Sequence, residues 1–321
     1  MVAEIKRFDI LTIGDLCADL VLMGDDLVPG FGQEEKLVPG YALRMGGSCS
    51  IFACQAAKLG MQVGIIGVVG DDAFGEVVLD TLKEAGVDTS LVIVDPDIET
   101  GLSVHLQEPA DRSILTHLGS IKAVGPEHIS SDLLQSTQHL HIGSYFLLKQ
   151  MQGALPSMAK EVKLSGGTAS LDTNWDPEEL WGQGLTSLLE TVDVFLPNEN
   201  ELQAITRSKS ISEGLEKLES LAPIVAVKLG EEGALVQREK EIWRAKVPKV
   251  EVIDTIGAGD SFDAGFVSGF VQGKSLEESL AMGCACGTAS VQAAGGTDGQ
   301  PRAGKLEEWL GHIQVSCVNQ P

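Results

Sequence analysis

The chain has 321 residues, of which 43% are apolar, and its 23 basic and 46 acidic residues give a formal net charge of −23. A nucleic-acid-binding surface needs Lys and Arg to neutralise phosphates, so this balance argues against nucleic acid and, likewise, against an anionic membrane surface. It does not exclude an anionic small molecule, because a few oriented backbone N–H groups hold a phosphate whatever the net charge.

The six cysteines contain no C-x-x-C pair, and most of them lie within apolar runs. We therefore expect reduced, buried thiols. The first residues lack the pattern of a secretion signal, and no apolar run approaches membrane-spanning length. Together these features predict a cytoplasmic protein.

Apolar strand-like runs alternate with amphipathic helices along the chain. A helix is predicted over Asp72–Ala85, with Asp72 as its N-cap and Gly86 just past its end. Ser210 and Ser275 each precede a Glu by three residues, the spacing of a capping box. The alternation predicts an α/β fold with a doubly wound, mostly parallel sheet and helices on both faces. The predicted strands are Phe8–Ile13, Val63–Val69, His139–Ile142, Thr168–Leu171, Val194–Leu196, Ile224–Leu229 and Ala234–Val236.

Two stretches, at about residues 18–45 and 100–119, interrupt this alternation with short strands joined by polar turns. The sequence EPADR at Glu108–Arg112 is typical of a hairpin turn. We expect these segments to form a small β-sheet lid on a single domain spanning residues 5–315. A lid that excludes water protects a reactive phosphate from hydrolysis.

The most informative motif is DTIGAGD at Asp254–Asp260, which is followed by apolar residues at helical spacing. Its glycines permit a tight turn at a helix N-terminus, where free N–H groups and the helix dipole favour an anion. An acidic residue at that place is unfavourable unless it has a chemical task. Accepting a proton from a hydroxyl that attacks a bound γ-phosphate is such a task.

Two better-known phosphate-binding loops do not fit this segment. The chain has no G-x-x-x-x-G-K-[ST] loop, and Phe262 stands where a dinucleotide fingerprint needs its third glycine. A glycine-rich loop whose Asp260 merely caps a helix remains the alternative to an anion hole beside a base.

The segment Asp254–Asp260 resembles the C-terminal signature of the ribokinase-like (phosphofructokinase-B type) carbohydrate kinases, and the resemblance extends over nearly the whole chain. The other matching blocks, in the family's order, are Gly46–Gly60, Gly64–Gly75, Leu171–Trp181, Phe195–Leu202 and Val227–Ala234. The resemblance implies a ribokinase-like fold and ATP-dependent transfer of a phosphoryl group to a hydroxyl of a sugar or sugar acid.

For the chemical step, the resemblance implies that Asp260 is the catalytic base and that Gly257, Ala258 and Gly259 form the anion hole. For the nucleotide, it implies that Lys228, Gly230 and Thr255 line the ATP site. A lysine in solvent at the strand end is an equally good interpretation of Lys228.

For Mg²⁺, the resemblance implies that Asn198 and Glu201 order the water shell of the metal and phosphates. A helix start with Asn198 as N-cap explains the same two residues, and the two interpretations are compatible. Asp254 and the carbonyl of Ile256 match positions that hold a monovalent cation such as K⁺ in several relatives. The histidines show no metal-binding spacing and are interpreted as structural.

For the acceptor, the resemblance implies that Asp19 binds sugar hydroxyls and that Gly46 and Gly47 form a hinge where backbone approaches the substrate. Arg112, on the predicted lid hairpin, either reaches a substrate oxygen or is solvated.

The chain also departs from the family pattern. Ile51 replaces an Asn that contacts the sugar, and Cys17 replaces an Asn found in many ribokinases. Two polar contacts are therefore missing, which argues against ribose as the acceptor. An apolar pocket near Ile51 that receives a base would instead indicate a nucleoside kinase. A catalytically silent sugar-binding regulator is the third hypothesis. The partners are expected to be a sugar-like molecule and ATP, with a homodimer formed through the lid.

Overall fold

The computed structural model describes residues 7–107, 112–182 and 184–318. These residues form fourteen strands and ten α-helices. The strands are β1 (Phe8–Ile13), β2 (Cys17–Met23), β3 (Gly40–Gly46), β4 (Val63–Gly70), β5 (Val92–Asp95), β6 (Gly101–Gln107), β7 (Arg112–His117), β8 (Thr137–Ile142), β9 (Thr168–Leu171), β10 (Val194–Phe195), β11 (Ile224–Lys228), β12 (Ala234–Arg238), β13 (Glu241–Lys246) and β14 (Gln314–Val318). The helices are α1 (Ser48–Lys58), α2 (Ala73–Ala85), α3 (Ser131–Gln135), α4 (Leu155–Leu164), α5 (Leu185–Leu189), α6 (Glu199–Thr206), α7 (Ile211–Leu218), α8 (Ala258–Val271), α9 (Leu276–Ser290) and α10 (Ala303–Leu310).

The main sheet has ten strands in the order β14-β13-β12-β11-β10-β9-β8-β1-β4-β5. The pairs from β11 to β5 are parallel, and β11 to β14 are joined by antiparallel pairs. From β1 the chain proceeds outward to β4 and later returns to β8 on the other side. This reversal of direction makes the gap between β1 and β8 a topological switch point, where ligands bind in sheets of this kind.

Alternate residues of the central strands point to opposite faces of the main sheet, and each face has its own core. In β11, Val225 and Val227 pack into one core, while Ile224 and Ala226 pack into the other. The first core is covered by α3 to α7, and the second by α1, α2, α8 and α9. The predicted doubly wound, mostly parallel sheet with helices on both faces is confirmed.

A second sheet of four strands, in the order β3-β2-β6-β7, forms the lid. Strand β2 pairs antiparallel with β3 and parallel with β6, and β6 pairs antiparallel with β7. The prediction of a small β lid from residues 18–45 and 100–119 is therefore confirmed. The predicted turn at Glu108–Arg112 lies, apart from the backbone of Arg112, outside the described residues.

The predicted caps are present. The Asp72 carboxylate accepts a hydrogen bond from the Gly75 N–H at 2.8 Å, and Gly86 ends α2 with φ of 92°. Ser210 and Ser275 cap α7 and α9. Every predicted strand forms, with shifts of one or two residues at some ends.

The C-terminal strand of the main sheet was not predicted from the sequence. Strand β14 pairs with β13 and runs to Val318, past the predicted domain boundary at residue 315. It carries Cys317, which is exposed, whereas the other five cysteines are buried. The expectation of buried thiols was therefore wrong at this one position, because an edge strand leaves one side of each residue in solvent. None of the described helices is both long and apolar enough to cross a membrane.

Helices α8 and α9 pack closely because glycines on both helices remove side chains from their contact. A Cβ added at Gly265 would lie 2.6 Å from the Met282 carbonyl oxygen and 2.9 Å from the Cys286 sulfur. A Cβ at Gly283 would lie 2.9 Å from the Phe262 ring. This close packing fixes the axis of α8, the helix that begins with the glycine-rich motif.

We expect Gly265→Ala to lower the free energy of unfolding by about 1–3 kcal/mol, because the added methyl group meets backbone and cannot be accommodated by a rotamer change. Gly304→Ala is the matched control, since a Cβ there meets nothing within 4 Å in helix α10. The control should be neutral or stabilising by up to about 1 kcal/mol. Urea denaturation measures both, and equal effects of the two substitutions would contradict the packing argument.

Candidate active site

The site lies where the parallel strands end. Because the carboxyl ends of neighbouring parallel strands share one edge of the sheet, residues far apart in sequence meet there. Asp15 follows β1, Ser144 follows β8, Asp172 follows β9 and Asn198 follows β10, while Lys228 is the last residue of β11.

The turn before α8 has the geometry that an anion hole requires. Gly257 is the N-cap of α8 with φ of 71°, a left-handed conformation that favours glycine. A Cβ at Gly257 would lie 2.8 Å from the Gly296 Cα and 2.9 Å from a methyl group of Ile51. No described side chain caps this end of α8, and the Ala258 N–H makes only a long hydrogen bond of 3.4 Å to the Thr255 carbonyl. The positive end of the helix dipole lies at this turn.

Asp254 holds this turn in place through hydrogen bonds to the backbone. It is 5% exposed, and its two carboxylate oxygens accept hydrogen bonds from the Ile256 N–H at 3.0 Å and the Gly295 N–H at 2.8 Å. The carboxylate thus ties the turn to the segment that follows α9.

Asp260 lies in the first turn of α8 and is half-buried. The Ser48 hydroxyl, at the start of α1, lies close enough to this carboxyl group to act against a rise of its pKa. Burial and then the neighbouring Asp172 carboxylate raise the pKa of Asp260 to about 7, against the opposing effect of Lys228. A carboxyl group with a pKa near neutrality is suited to exchanging a proton at physiological pH.

A cavity of about 680 Å³ opens on one side of the turn. Thr255, Ala258 and Gly259 line it beside Lys228 and Gly230. Its remaining wall contains mostly apolar or small side chains, including Val247, Val250, Val252, Phe262, Cys284, Gly287 and Val291. A volume within about 300–1,000 Å³ and a mainly apolar wall are typical of a site for a nucleotide-sized ligand.

Asn198 and Glu201 form a complete capping box at α6. The Asn198 N–H donates to Glu201 Oε2 at 2.9 Å, and the Glu201 N–H donates to Asn198 Oδ1 at 2.9 Å. Glu201 is 4% exposed, and burial, followed by the charge of Asp172, raises its pKa to about 7. These two residues therefore cap α6, as the helix-start interpretation of the sequence predicts. The box leaves Glu201 Oε1 unused, so an additional role toward a water-coordinated metal is compatible with it.

A polar cluster lies on the other side of Asp260. The buried Asp15 carboxylate accepts hydrogen bonds from the Ser48 N–H at 3.1 Å, the Cys49 N–H at 3.2 Å and the Ser144 hydroxyl at 2.8 Å. It thereby caps α1, whose own N-cap is a glycine. Burial raises the pKa of Asp15, and the hydrogen bonds act against this rise.

Asn174 completes this cluster. Its side-chain NH₂ donates to the Ser48 hydroxyl at 2.9 Å and to the Ser144 hydroxyl at 3.2 Å. Asn174 and Ser144 have φ of 57° and 52°, a strained conformation for residues other than glycine that is concentrated at functional sites. The hydroxyl and amide groups are arranged to bind a polar molecule near Asp260.

Asp19 lies on β2, a strand of the lid sheet, and is 5% exposed. Its Oδ1 lies 3.3 Å from His105 Nε2 on the adjacent strand β6. A Cβ at Gly46 would lie 2.0 Å from the same carboxylate oxygen, so glycine is required at position 46 to make room for Asp19. Gly47 has φ of 86°, and a Cβ there would meet the Asp15 carbonyl oxygen at 2.5 Å. Gly46 and Gly47 are thus closely packed against Asp19 and Asp15, and the approach of this backbone to the substrate stays a prediction.

Ile51 is 3% exposed, and its side chain packs against the backbone of Gly257 and Gly296. It therefore supports the turn before α8, and its expected place beside the acceptor stays a prediction. The side chain of Arg112 lies outside the described part of the chain.

The interpretation of Lys228 as a lysine in solvent at a strand end is wrong. Its side chain is only 13% exposed, and its Nζ lies 2.9 Å from Asp263 Oδ2 and 3.5 Å from Asp172 Oδ2. Burial opposes the ammonium form, but these two carboxyl groups raise the pKa of Lys228 above its usual range. The aliphatic part of the Lys228 side chain lines the cavity, and its ammonium group lies near Asp172 and Asp263, on the side of Asp260.

Several residues of the site were missed from the sequence: Asp15, Ser48, Ser144, Asp172, Asn174, His105 and Asp263. Only Ser48, Asp172 and Asn174 carried a local signal, because they lie in the matched blocks Gly46–Gly60 and Leu171–Trp181. His139 and His141 are structural, as predicted. Both bond to the Ser170 hydroxyl, and burial lowers their pKa to about 3.

Residues 7–303 match the family model described as the pfkB family carbohydrate kinase. The chain belongs to this family. It is a carbohydrate kinase, an ATP-dependent phosphotransferase whose acceptor is an alcohol group.

Curated relatives of this pfkB-family chain cover most of its length. It is 29% identical to the 2-dehydro-3-deoxygluconokinase of Bacillus subtilis, over 91% of this chain and 95% of that protein. It is 30% identical to the ribokinase of Arabidopsis thaliana, over 91% of this chain and 78% of that protein. Among solved structures, a putative ribokinase II from E. coli in complex with ATP and Mg²⁺ superposes with a TM-score of 0.83 at 25% identity, over 94% of this chain and 98% of the other.

We expect Asp15→Asn to lower the free energy of unfolding by about 1.5–3 kcal/mol, because an amide NH₂ would face one of three hydrogen-bond donors in a buried place. Asp9→Asn is the control. The Asp9 Oδ2 accepts one exposed hydrogen bond from the Gln62 N–H at 2.8 Å, and an Asn can still accept it, so the change should stay within about 0.5 kcal/mol. Urea denaturation measures the free energy of unfolding of both variants. Equal losses would contradict the role of Asp15 as the cap of α1.

Proposed function

We propose that Asp260 is the general base and that the N–H groups of Gly257, Ala258 and Gly259 stabilise the transferred phosphoryl group. The observation that carries this proposal is the position of one turn between two different environments. Its Ala258 and Gly259 line the large cavity, and Asp260 lies close enough to Ser48, a member of the polar cluster, for this hydroxyl to lower its pKa. A phosphate bound at the turn would therefore lie between nucleotide and acceptor, with a carboxyl group beside it.

In the step that this arrangement supports, the acceptor hydroxyl oxygen forms a bond to the γ-phosphorus of ATP. The bond from that phosphorus to the bridging oxygen breaks, and ADP leaves with the electron pair. The hydroxyl proton passes to the Asp260 carboxylate, and the backbone N–H groups of the turn bind the charge on the phosphoryl oxygens.

For the nucleotide, we assign Lys228, Gly230 and Thr255 to the wall of the ATP site, since all three line the cavity. Asn198 and Glu201 would order the water shell of Mg²⁺, which neutralises phosphate charge when it is bound with ATP. Asp254 and the Ile256 carbonyl are the candidates for a K⁺ site. Both oxygens of Asp254 already accept backbone N–H groups, so a cation there would share the carboxylate with them.

For the acceptor, we assign Asp19, Gly46 and Gly47 to hydroxyl binding and extend the site to Asn174. A carboxylate, for which Gly46 makes room, and an amide suit a small polyhydroxy compound. The named relatives act on sugar acids and on ribose, which supports a sugar or sugar acid as acceptor. The burial of Ile51 gives no support to the nucleoside-kinase hypothesis, which needs an apolar pocket beside it. Arg112 remains a candidate for contact with a substrate oxygen.

We also propose that two copies associate through the lid sheet and that the enzyme works in the cytosol. The lid exposes Tyr41 on β3 and Leu115 on β7, which are 73% and 62% accessible. Exposed apolar groups on a small sheet are typical of a surface that pairs with another chain. Five buried cysteines, all free, fit a reducing compartment.

We expect Asp260→Asn to lower kcat by about 10²–10⁴-fold, because the amide cannot take the proton of the acceptor. Binding of ATP should change little, since the cavity and the turn are retained. The measurement is ADP release with a panel of sugars, sugar acids and nucleosides, together with ATP titration calorimetry. Asp80→Asn, at a side chain 73% exposed on α2, is the matched control. Turnover near the normal rate in Asp260→Asn would exclude Asp260 as the base, and turnover with nucleosides alone would exclude the proposed acceptor class.

The pKa of Asp260 makes a second, independent prediction. Because burial and Asp172 raise it to about 7, the carboxylate form required of a base is lost as the pH falls through this value. We expect kcat/KM to decline below about pH 7 and to fall about tenfold per pH unit on the acid side. A profile that is flat down to pH 5, measured with saturating Mg²⁺, would contradict the assignment.

A further inference from the structure

Three carboxyl groups and one ammonium group meet beside the anion-hole turn. One carboxylate oxygen from each of Asp172, Asp260 and Asp263 lies within 4.8 Å of the other two. Lys228 Nζ contacts Asp263 at 2.9 Å and Asp172 at 3.5 Å. The side chains of Lys228, Asp172 and Asp263 are 13%, 7% and 1% exposed. We call these three residues, without Asp260, the lysine triad.

Stability alone is a weak explanation for the lysine triad. Removing charges from water costs several kcal/mol for each ion, and apolar residues of similar volume often stabilise a core as well or better. The polar arrangement is also incompletely satisfied, because Asp263 Oδ1 is buried with no hydrogen-bond partner among the described residues. Such a cluster calls for a role that apolar packing cannot perform.

The position of the triad indicates that role. Asp263 lies three residues after Asp260, one turn further along α8 and on the same side of the helix. Lys228 Nζ lies 3.6 Å from the place of a Cβ at Gly259. The triad therefore joins the end of β9, the end of β11 and the first turns of α8, which are the three elements that must keep their places during transfer.

We propose that Lys228, held between Asp172 and Asp263, is a positioning residue for phosphoryl transfer: it fixes the turn before α8 against the sheet and supplies a positive charge close to Asp260. The proposal rests on the role of Asp260 as the base, and it assigns to the triad a task at that same site.

The charged groups around Asp260 come from four elements besides its own. Asp15 after β1 and Asp172 after β9 disfavour its ionised form, whereas Lys228 from β11 favours it. Glu201 on α6 acts on Lys228 and Asp172, and Asp263 lies on α8 itself. Removing the ammonium group thus leaves Asp260 among carboxyl groups that have lost their central cation.

The electrostatic part of this arrangement predicts opposite effects for two substitutions. In Lys228→Met the acid limb of kcat/KM against pH should move to higher pH by about one unit or more, because a close cation has been removed. In Asp172→Asn the limb should move to lower pH, because a close like charge has been removed. We also expect kcat of Lys228→Met at pH 8, where a larger share of Asp260 is ionised, to fall about 10²-fold through misplacement of the turn.

Two further variants separate charge from shape and from general loss of an ion pair. Lys228→Arg keeps the positive charge, so the acid limb should return toward its original position even where the altered shape keeps kcat low. Lys217→Met removes an exposed lysine that pairs with Glu213 at 2.7 Å on α7. This control should leave both kcat and the pH profile unchanged.

The proposal is overturned if folded Lys228→Met and Asp172→Asn leave the acid limb in place or move it in the same direction. If Lys228→Met does not fold, Asp172→Asn decides: a shift to lower pH supports the proposal and no shift overturns it. A failure of Asp260 as the base is recognised separately, since Asp260→Asn would then retain turnover. Loss of turnover in Asp260→Asn together with an unmoved limb in the triad variants overturns the triad alone.

Discussion

The carboxylate of Asp254 holds the backbone on which the site depends. By accepting the N–H groups of Ile256 and Gly295, it joins the start of α8 to the segment after α9. Gly257 then has little room, since Gly296 and Ile51 occupy the space that a side chain would need. These contacts hold the first turn of α8 in place, at the positive end of the helix dipole.

The parallel sheet brings the polar cluster and the wall of the cavity together at this turn. Strands β1, β8 and β9 deliver the polar cluster of Asp15, Ser144 and Asn174, while β11 delivers Lys228 and the wall of the cavity. The N-terminus of α8 lies between these groups, so under the proposed assignment one short turn would contact both nucleotide and acceptor. The close packing of α8 on α9 through Gly265 and Gly283 extends the same rigidity along the helix.

Much of this was predictable, and the limits have physical reasons. Strand periodicity and caps such as Asp72 are local properties, so the order of elements followed from the sequence. The glycine turn with Asp260 carried its own signal. Asp15 and Asp263 did not, because their partners lie in distant parts of the chain and only the sheet topology brings them together. Lys228 shows the same limit: a lysine at a strand end is compatible with solvent, and its burial follows from Asp172 and Asp263 on other elements. Strand β14 was missed because edge strands with exposed residues lack a strong apolar pattern.

The engagement of Lys228 has a consequence for how products depart. Its ammonium group is held by two carboxyl groups, so under the proposed assignment a phosphate at the turn would be bound by backbone N–H groups without an ion pair to Lys228. Dipoles of fixed orientation bind an anion while it is present and need no rearrangement when it departs. The spent nucleotide would then dissociate without breaking a salt bridge to this lysine.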